Sequence, residues 1–176
     1  MTATELVILV DENDQETGTA EKLLAHRDNL RHRAFSVFIL RKNPEIEVLL
    51  QQRAASKYHS ANLWTNTCCS HPRPGEEIIA AAARRLKEEM GMTVPLSSLG
   101  FFHYIAHFEN GLVENEIDHV LIGWMKDEKI LVNPIEVQAV RWIGLDELQN
   151  ELKKFPEKFT PWLAEALRKV TNNLFF

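Results

Sequence analysis

Cys68, Cys69 and His71 stand directly before a turn, Pro72-Arg73-Pro74-Gly75, and a helical stretch that carries Arg84, Arg85, Glu88 and Glu89. If Cys68 to His71 is extended, residues two apart share a face. Cys69 and His71 then point one way and Cys68 the other. One side holds a thiol beside an imidazole able to ligate a metal. Glu114 and Glu116 alternate along a later strand and also share a face. With His26, His32 and His71 they offer three imidazoles and two carboxylates, a set suited to Zn, Mn or another borderline divalent ion. Lys22, Arg53, Lys57 and Arg85 are cations able to hold phosphate, Arg through two parallel bonds and Lys as a compact charge. Each residue also has an ordinary reading. Loop histidines mostly lie at the surface. Arg85 can pair with Glu89 at i,i+4. A free cysteine packs as a small hydrophobe. His59, His103, His107 and His119 read as structural or surface residues.

The elements that must position these groups follow from pattern. Leu6 to Val10 reads as a strand, Asp11 to Asp14 as a turn, and Gly18-Thr19 as the return of a small hairpin. Ala20 to His26 predicts a short helix and Arg27 to Arg33 a polar loop. Ala34 to Leu40, rich in β-formers, predicts a strand. Asn43-Pro44 breaks it before a partner strand at Val48 to Arg53. Ala54 to Pro74 is one long connection, of the kind that is usually functional or disordered. Its Tyr58, His59, Leu63 and Trp64 favour the first. Ile78 to Met90 is the best helix, with alanines at 80 to 83 and Gly91 as its stop. Phe101 to Phe108 and Val113 to Met125 flank Asn110-Gly111, a strong hairpin turn. Val140 to Ile143 is a short strand. Leu145 to Phe155 and Pro161 to Leu174 are helices separated by Pro156. The fold class is α/β (α+β): a sandwich with a mixed sheet between helices.

The chain has 176 residues, 45% hydrophobic and 26% charged, enough for one domain with a sizeable core. We expect a single domain over residues 1–176. A net charge of −5 gives no support for a general nucleic-acid surface. Two adjacent cysteines make no disulfide framework, and a working thiol suits a reducing, cytoplasmic setting. The N-terminus has no basic segment before an apolar one, so no signal peptide is expected, and no apolar run is long enough to span a bilayer. The expected molecule is a monomer or weak dimer without nucleic-acid or membrane partners.

The box helix also resembles a known pattern. In the Nudix motif, Gly is followed after five residues by Glu, then after seven by Arg-Glu-apolar-x-Glu-Glu-x-Gly-apolar. Here the register reads Ser70, Glu76, then Arg84-Arg85-Leu86-Lys87-Glu88-Glu89-Met90-Gly91-Met92. Ser70 replaces Gly and Arg85 replaces Glu. This altered box, preceded by Trp64-Thr65-Asn66 and Cys69-Ser70-His71-Pro72, resembles the type I isopentenyl-diphosphate isomerases. The resemblance runs from about Leu6 to Trp162.

The resemblance implies a Nudix-type α/β/α sandwich and a 1,3-proton shift between isopentenyl and dimethylallyl diphosphate. It implies metal ligation by His26, His32, His71, Glu114 and Glu116 to a divalent ion, Mn2+ or Zn2+. It assigns Lys22, Arg53, Lys57 and Arg85 to the prenyl diphosphate substrate. It places a Mg2+ with that diphosphate, Glu89 and the Cys69 backbone carbonyl. Glu116, with Tyr104 nearby, is expected to deliver the proton, and Cys69 as thiolate to remove one from the opposite face; the resemblance also allows the two roles to be exchanged. Trp162, otherwise a core residue on the last helix, would wall the alkene. Its indole face stabilises a cation by about 0.5–2 kcal/mol. The rivals are a Nudix pyrophosphohydrolase, which Arg85 disfavours because it displaces a metal-gathering carboxylate, and a catalytically dead diphosphate-binding module.

Overall fold

The computed structural model describes residues 5–174. β1 (Leu6–Val10) and β2 (Glu16–Glu21) form a hairpin, and α1 (Lys22–Arg27) follows at once. β3 (His32–Lys42) and β4 (Ile46–Arg53) are antiparallel, then come β5 (Trp64–Thr65), β6 (Cys68–Ser70) and α2 (Ile78–Met90). β7 (Ser97–His107) pairs antiparallel with β8 (Val113–Trp124), and β8 runs parallel to β3. β9 (Val137–Gly144) pairs with β4, and α3 (Leu145–Lys154) and α4 (Leu163–Leu174) close the chain. One parallel pair among antiparallel ones makes the sheet mixed, as the sequence predicts.

Why the sheet carries helices on both sides is visible in β3. Its run from Ala34 to Leu40 is buried throughout. A strand so apolar on both faces must be covered on both. Phe35, Val37 and Ile39 point to one face, where Ala81, Ala82, Leu86 and Met90 of α2 meet them together with Cys68. Phe38 and Leu40 point to the other, where Leu148 of α3 and Leu163, Ala166, Leu167 and Val170 of α4 close the second layer. Period 2 in the strand and period 3.6 in the helices thus fit one α/β/α sandwich.

Several boundaries differ from the sequence reading, each through pairing that residue type alone does not reveal. Ala20 and Glu21 pair with Val7 and Leu6, so α1 starts at Lys22. His32 is not in a loop: it opens β3, between Leu9 on one side and Glu116 on the other. β7 begins at Ser97 because an irregularity between Ser98 and Phe101 lets the ladder continue. β9 is longer than expected, held along most of β4. The connection from Ala54 to Pro74 contains two short strands, β5 and β6. Trp162 lies one residue before α4 rather than on it.

Gly91 ends α2 in a left-handed conformation, φ 67°. Its neighbours' carbonyls are used: Leu131 N–H donates to Met90 O at 2.9 Å and Asn133 N–H to Glu89 O at 2.8 Å. A Cβ on Gly91 would lie 2.6 Å from Leu131 O. Gly91→Ala should therefore cost about 1–3 kcal/mol from the backbone conformation alone, with the Leu131 clash added. Urea unfolding measures it, and an unchanged midpoint would contradict this stop.

Among the described residues no helix is long and apolar enough to cross a membrane.

Candidate active site

The candidate residues come from several elements and meet at one end of the sheet. α1 supplies His26, the start of β3 His32, the end of β4 Arg53, and the step after β6 His71. β8 supplies Glu114 and Glu116, and β7 brings Tyr104 directly opposite Glu116. β6 is extended, so Cys68 enters the apolar layer beneath α2 while Cys69 and His71 face a cleft. The same cleft is lined by Lys22, Arg53, Lys57, Arg85, Tyr104, Glu114, Glu116 and Trp162. Cys68 is fully enclosed, and burial pushes its thiol well above the ordinary value. Cys68→Ala should lower stability by about 1 kcal/mol and leave turnover unchanged. Thermal melts and a rate assay check this, and lost activity in a folded variant would contradict it.

His26, His32, His71 and Glu116 present ligand atoms that all lie within 4.8 Å of one another. His26 Nδ1 is 2.7 Å from the Lys22 carbonyl and His32 Nδ1 is 2.8 Å from the Leu30 carbonyl. A carbonyl only accepts, so both Nδ1 atoms carry the proton and both Nε2 lone pairs turn inward, the tautomer a metal needs. His26 Nε2 is buried and has no hydrogen-bond partner. His32 Nε2 lies 3.2 Å from Glu116 Oε1. Two lone pairs would repel at that distance, so a proton or another cation belongs between them. Burial would lower the His32 pKa, but the Glu116 hydrogen bond and charge outweigh it and raise it. The donor set and the orphaned Nε2 fit a divalent ion. Glu114 is not in this group. It clusters instead with His26 and His59, so the five expected ligands form two overlapping sets that share His26.

The carboxylates differ sharply. Burial would raise Glu116, but hydrogen bonds from His32 and His71 hold it well below the carboxylate range. His71 Nε2 lies 2.8 Å from Glu116 Oε1, and we take the pair as neutral imidazole and carboxylate. Burial and the charge of Glu116 push Glu114 up. Tyr104 Oη lies 2.5 Å from Glu114 Oε2 and 2.6 Å from Glu116 Oε2. One phenolic proton cannot serve both, so the second contact needs the proton that Glu114 retains.

The neutral imidazoles contribute a pH dependence of definite sign to the metal-free protein. Burial lowers His26 to about 4 and His71 to about 3, from 6.5. In that window their unfolded forms bind more protons than the folded ones, so their share of stability falls as pH falls. Glu116, held low, acts in the same direction at more acid pH, while the raised His32, Glu114 and Asp118 oppose it. Between pH 6.5 and about 4 the melting temperature of the metal-free natural chain should therefore drop more steeply than that of a metal-free His26→Phe variant, which lacks one of these imidazoles. Parallel profiles in thermal circular dichroism would contradict a buried neutral His26.

The cations line the cleft but are not free. Lys22 pairs with Glu5 at 3.1 Å, and Lys57 forms an ion pair with Glu136. Arg85 makes the helical pair foreseen for it, 2.5 Å to Glu89, and also reaches Glu88 at 2.8 Å. Although burial works against its charge, Glu89 and its other acidic neighbours hold the Arg85 pKa above the ordinary value. Glu89 does not line the cleft: Gln51 and Arg85 occupy its two oxygens. Arg53 is buried, with Nη1 3.8 Å from Cys69 Sγ and its guanidinium 5.6 Å from the Trp162 ring. Burial pushes the Cys69 thiol up to about 12, against the pull of Arg53. Trp162 is buried and anchored by its Nε1–H to Asn66 Oδ1 at 3.1 Å.

Sequence reading missed two acid–base groups. Asp118 continues the alternation of Glu114 and Glu116, lines the cleft and is almost fully buried. Its Oδ2 accepts from Ser36 Oγ at 2.7 Å, and its Oδ1 has no partner. Counting one more step along the acidic face of the strand would have found it. His59, read as structural or surface, is buried against Glu114. Of the other three, His103 bonds Asn115 and His119 bonds Asp14, outside the cleft.

A NUDIX domain matches residues 30–163, and the chain belongs to that family. Its backbone is like that of a Deinococcus radiodurans protein of known crystal structure, with TM-score 0.75 at 19% identity over 94% of this chain and 98% of that one. A MutT NUDIX hydrolase from Burkholderia pseudomallei superposes with TM-score 0.63 at 21% identity, covering 80% of this chain and 98% of its own. At such identities only the fold is shared. Sequence relatives narrow the family. An isopentenyl-diphosphate Delta-isomerase of Aliivibrio fischeri (strain MJ11) is 46% identical over 97% of this chain and 97% of its own length. Isopentenyl-diphosphate Delta-isomerase 2 of Aromatoleum aromaticum is 46% identical over 93% of this chain and 85% of its own. Within the Nudix family, the chain belongs to the isopentenyl-diphosphate Delta-isomerases.

Proposed function

We propose that the chain interconverts isopentenyl and dimethylallyl diphosphate by adding a proton at C4 of the alkene and removing one from C2. The observation that carries this is one cleft lined by a thiol, Cys69, and by a carboxylate–phenol pair, Glu116 and Tyr104. Protonating an unactivated alkene creates a tertiary cation, so acid and base must be positioned in a dry, electron-rich enclosure. The buried Trp162 indole supplies an electron-rich wall. Arg53, Lys57, Lys22 and Arg85 hold the diphosphate, the last three exchanging their present carboxylate partners for phosphate oxygens.

Of the two role assignments the resemblance allows, the protonation directions favour the second. Burial keeps Cys69 a thiol, and the imidazoles keep Glu116 a carboxylate. In our reading Cys69 therefore starts with the transferable proton, and Glu116 is ready to accept one from the other face. The reverse reaction uses the same pair with the proton exchanged, and Tyr104 steadies Glu116 through their 2.6 Å contact.

His26, His32, His71, Glu116 and, after a shift, Glu114 would hold a divalent ion, Mn2+ or Zn2+, which when bound would orient Glu116 and offset its charge. Glu89 and the Cys69 carbonyl would serve a Mg2+ brought with the diphosphate, once Arg85 turns from Glu89 to phosphate. A protonated catalytic thiol suits a reducing compartment, and we place the protein in the cytoplasm. Residues 1–176 form one domain in this reading, a monomer or weak dimer without nucleic-acid or membrane partners. One sheet shared by both apolar layers supports the single domain.

Arg85 also separates this reading from pyrophosphate hydrolysis, because it stands where the hydrolase box carries a carboxylate. Proton NMR of isopentenyl diphosphate with protein and Mg2+ tests the class. Allylic product without phosphate release is expected. Phosphate release without allylic product would identify a hydrolase.

A further inference from the structure

His59 has no part in the reading so far. It comes from the connection between β4 and β5, yet it is only 7% exposed. Phe108 stacks on its ring at 4.8 Å between centroids and Tyr58 meets it edge-on at 4.6 Å, so its direction is fixed. Nε2 lies 3.0 Å from Glu114 Oε1, and Nδ1 lies 3.3 Å from Ser60 Oγ. His26, His59 and Glu114 form the second group of donors within 4.8 Å of one another.

That group does not support an ion of its own beside the first. His26 Nδ1 is committed to the Lys22 carbonyl, leaving only Nε2, and one lone pair binds one ion. With His26 given to the four-residue group, two donors remain, fewer than metal centres use. The contact between His59 and Glu114 is instead a hydrogen bond. The Ser60 hydroxyl can donate to Nδ1, which keeps the His59 proton on Nε2, aimed at Glu114 Oε1. Tyr104 occupies Oε2 on the other side. An oxygen that accepts one N–H retains a second lone pair for a metal.

We propose that His59 is a positioning residue of the metal centre, whose Nε2–H holds Glu114 Oε1 with its remaining lone pair toward the His26 side. The proposal rests on the reading of His26, His32, His71, Glu114 and Glu116 as ligands of one ion. Partners that orient a ligating carboxylate typically contribute about 10–100-fold to metal affinity.

The test is Mn2+ affinity, measured by chelator competition on the metal-free full chain. His59→Phe should bind Mn2+ about 10–100-fold more weakly than the natural chain, with near-native circular dichroism. His59→Gln carries an amide N–H at similar reach and should recover most of the affinity. His59→Asn is polar but too short, and should behave like His59→Phe, which covers the case where Phe does not fold. Unchanged affinity in His59→Asn or His59→Phe overturns the proposal. So does a His59→Gln as weak as His59→Phe, because donation would then not be what matters. His71→Ala reports on the underlying ligand reading separately. If it binds Mn2+ like the natural chain, the ligand reading itself fails and the His59 proposal falls with it.

Discussion

Cys69→Ala and Glu116→Gln each stop isomerisation while diphosphate binding survives. Both groups line the cleft, and neither has a substitute there in the same protonation state: one is a thiol held protonated, the other a carboxylate held ionised. A positioned acid or base contributes typically about 10²–10⁴-fold, so each single variant should lose at least that much in kcat. The two act on one proton transfer cycle, so the double variant should be little worse than either single one. The cations that hold the diphosphate are untouched, and calorimetry should find its affinity nearly unchanged. Near-normal turnover by either folded variant would remove that residue from the chemistry. A large loss of diphosphate affinity would instead show that the substitution disturbed the cleft, for Cys69 through its 3.8 Å contact with Arg53.

Stripping the divalent ion should be nearly as damaging. Glu116 Oε1 lies between His32 and His71, at 3.2 and 2.8 Å, and Oε2 meets Tyr104 at 2.6 Å, so a divalent ion there would offset a buried charge that hydrogen bonds alone must otherwise balance. Chelation should bring turnover to background and lower the melting temperature. Saturation at 100 times Kd is worth about 2.7 kcal/mol, which the stripped protein loses. His71→Ala should abolish metal content in elemental analysis. His103→Ala, whose imidazole bonds Asn115 outside the cleft, should retain it. Full metal content in His71→Ala would reject the centre as drawn.

How much of this was legible in the sequence depended on whether local pattern or distant pairing decides. Helix α2 was readable to its last residue, because its alanines and Gly91 both act locally. The split between Cys68 and Cys69 was readable for the same reason: alternation in an extended strand is a property of two adjacent residues. The place of His32 was not. Nothing in Arg31-His32-Arg33 resembles a strand, yet β1 and β8 capture it from both sides and set it opposite Glu116. Resemblance named the candidate ligands, but the surroundings that set their protonation came only from the fold. The thiol, expected as a thiolate, lines the cleft half-buried and is pushed up by its surroundings, and Glu116, expected as the donor, faces two imidazoles. His59 was hidden for a further reason. Its importance lies in where a loop of irregular structure is wedged, and no periodicity reports that.

The most direct measurement is a crystal structure of the full chain with a divalent ion and an unreactive diphosphate analogue of the substrate. The account predicts the diphosphate among Arg53, Lys57, Lys22 and Arg85, with Cys69 Sγ and the Glu116 carboxylate on opposite sides of the carbon chain. A carbon chain lying outside this cleft, or sulfur and carboxylate meeting the same side of it, would contradict the account.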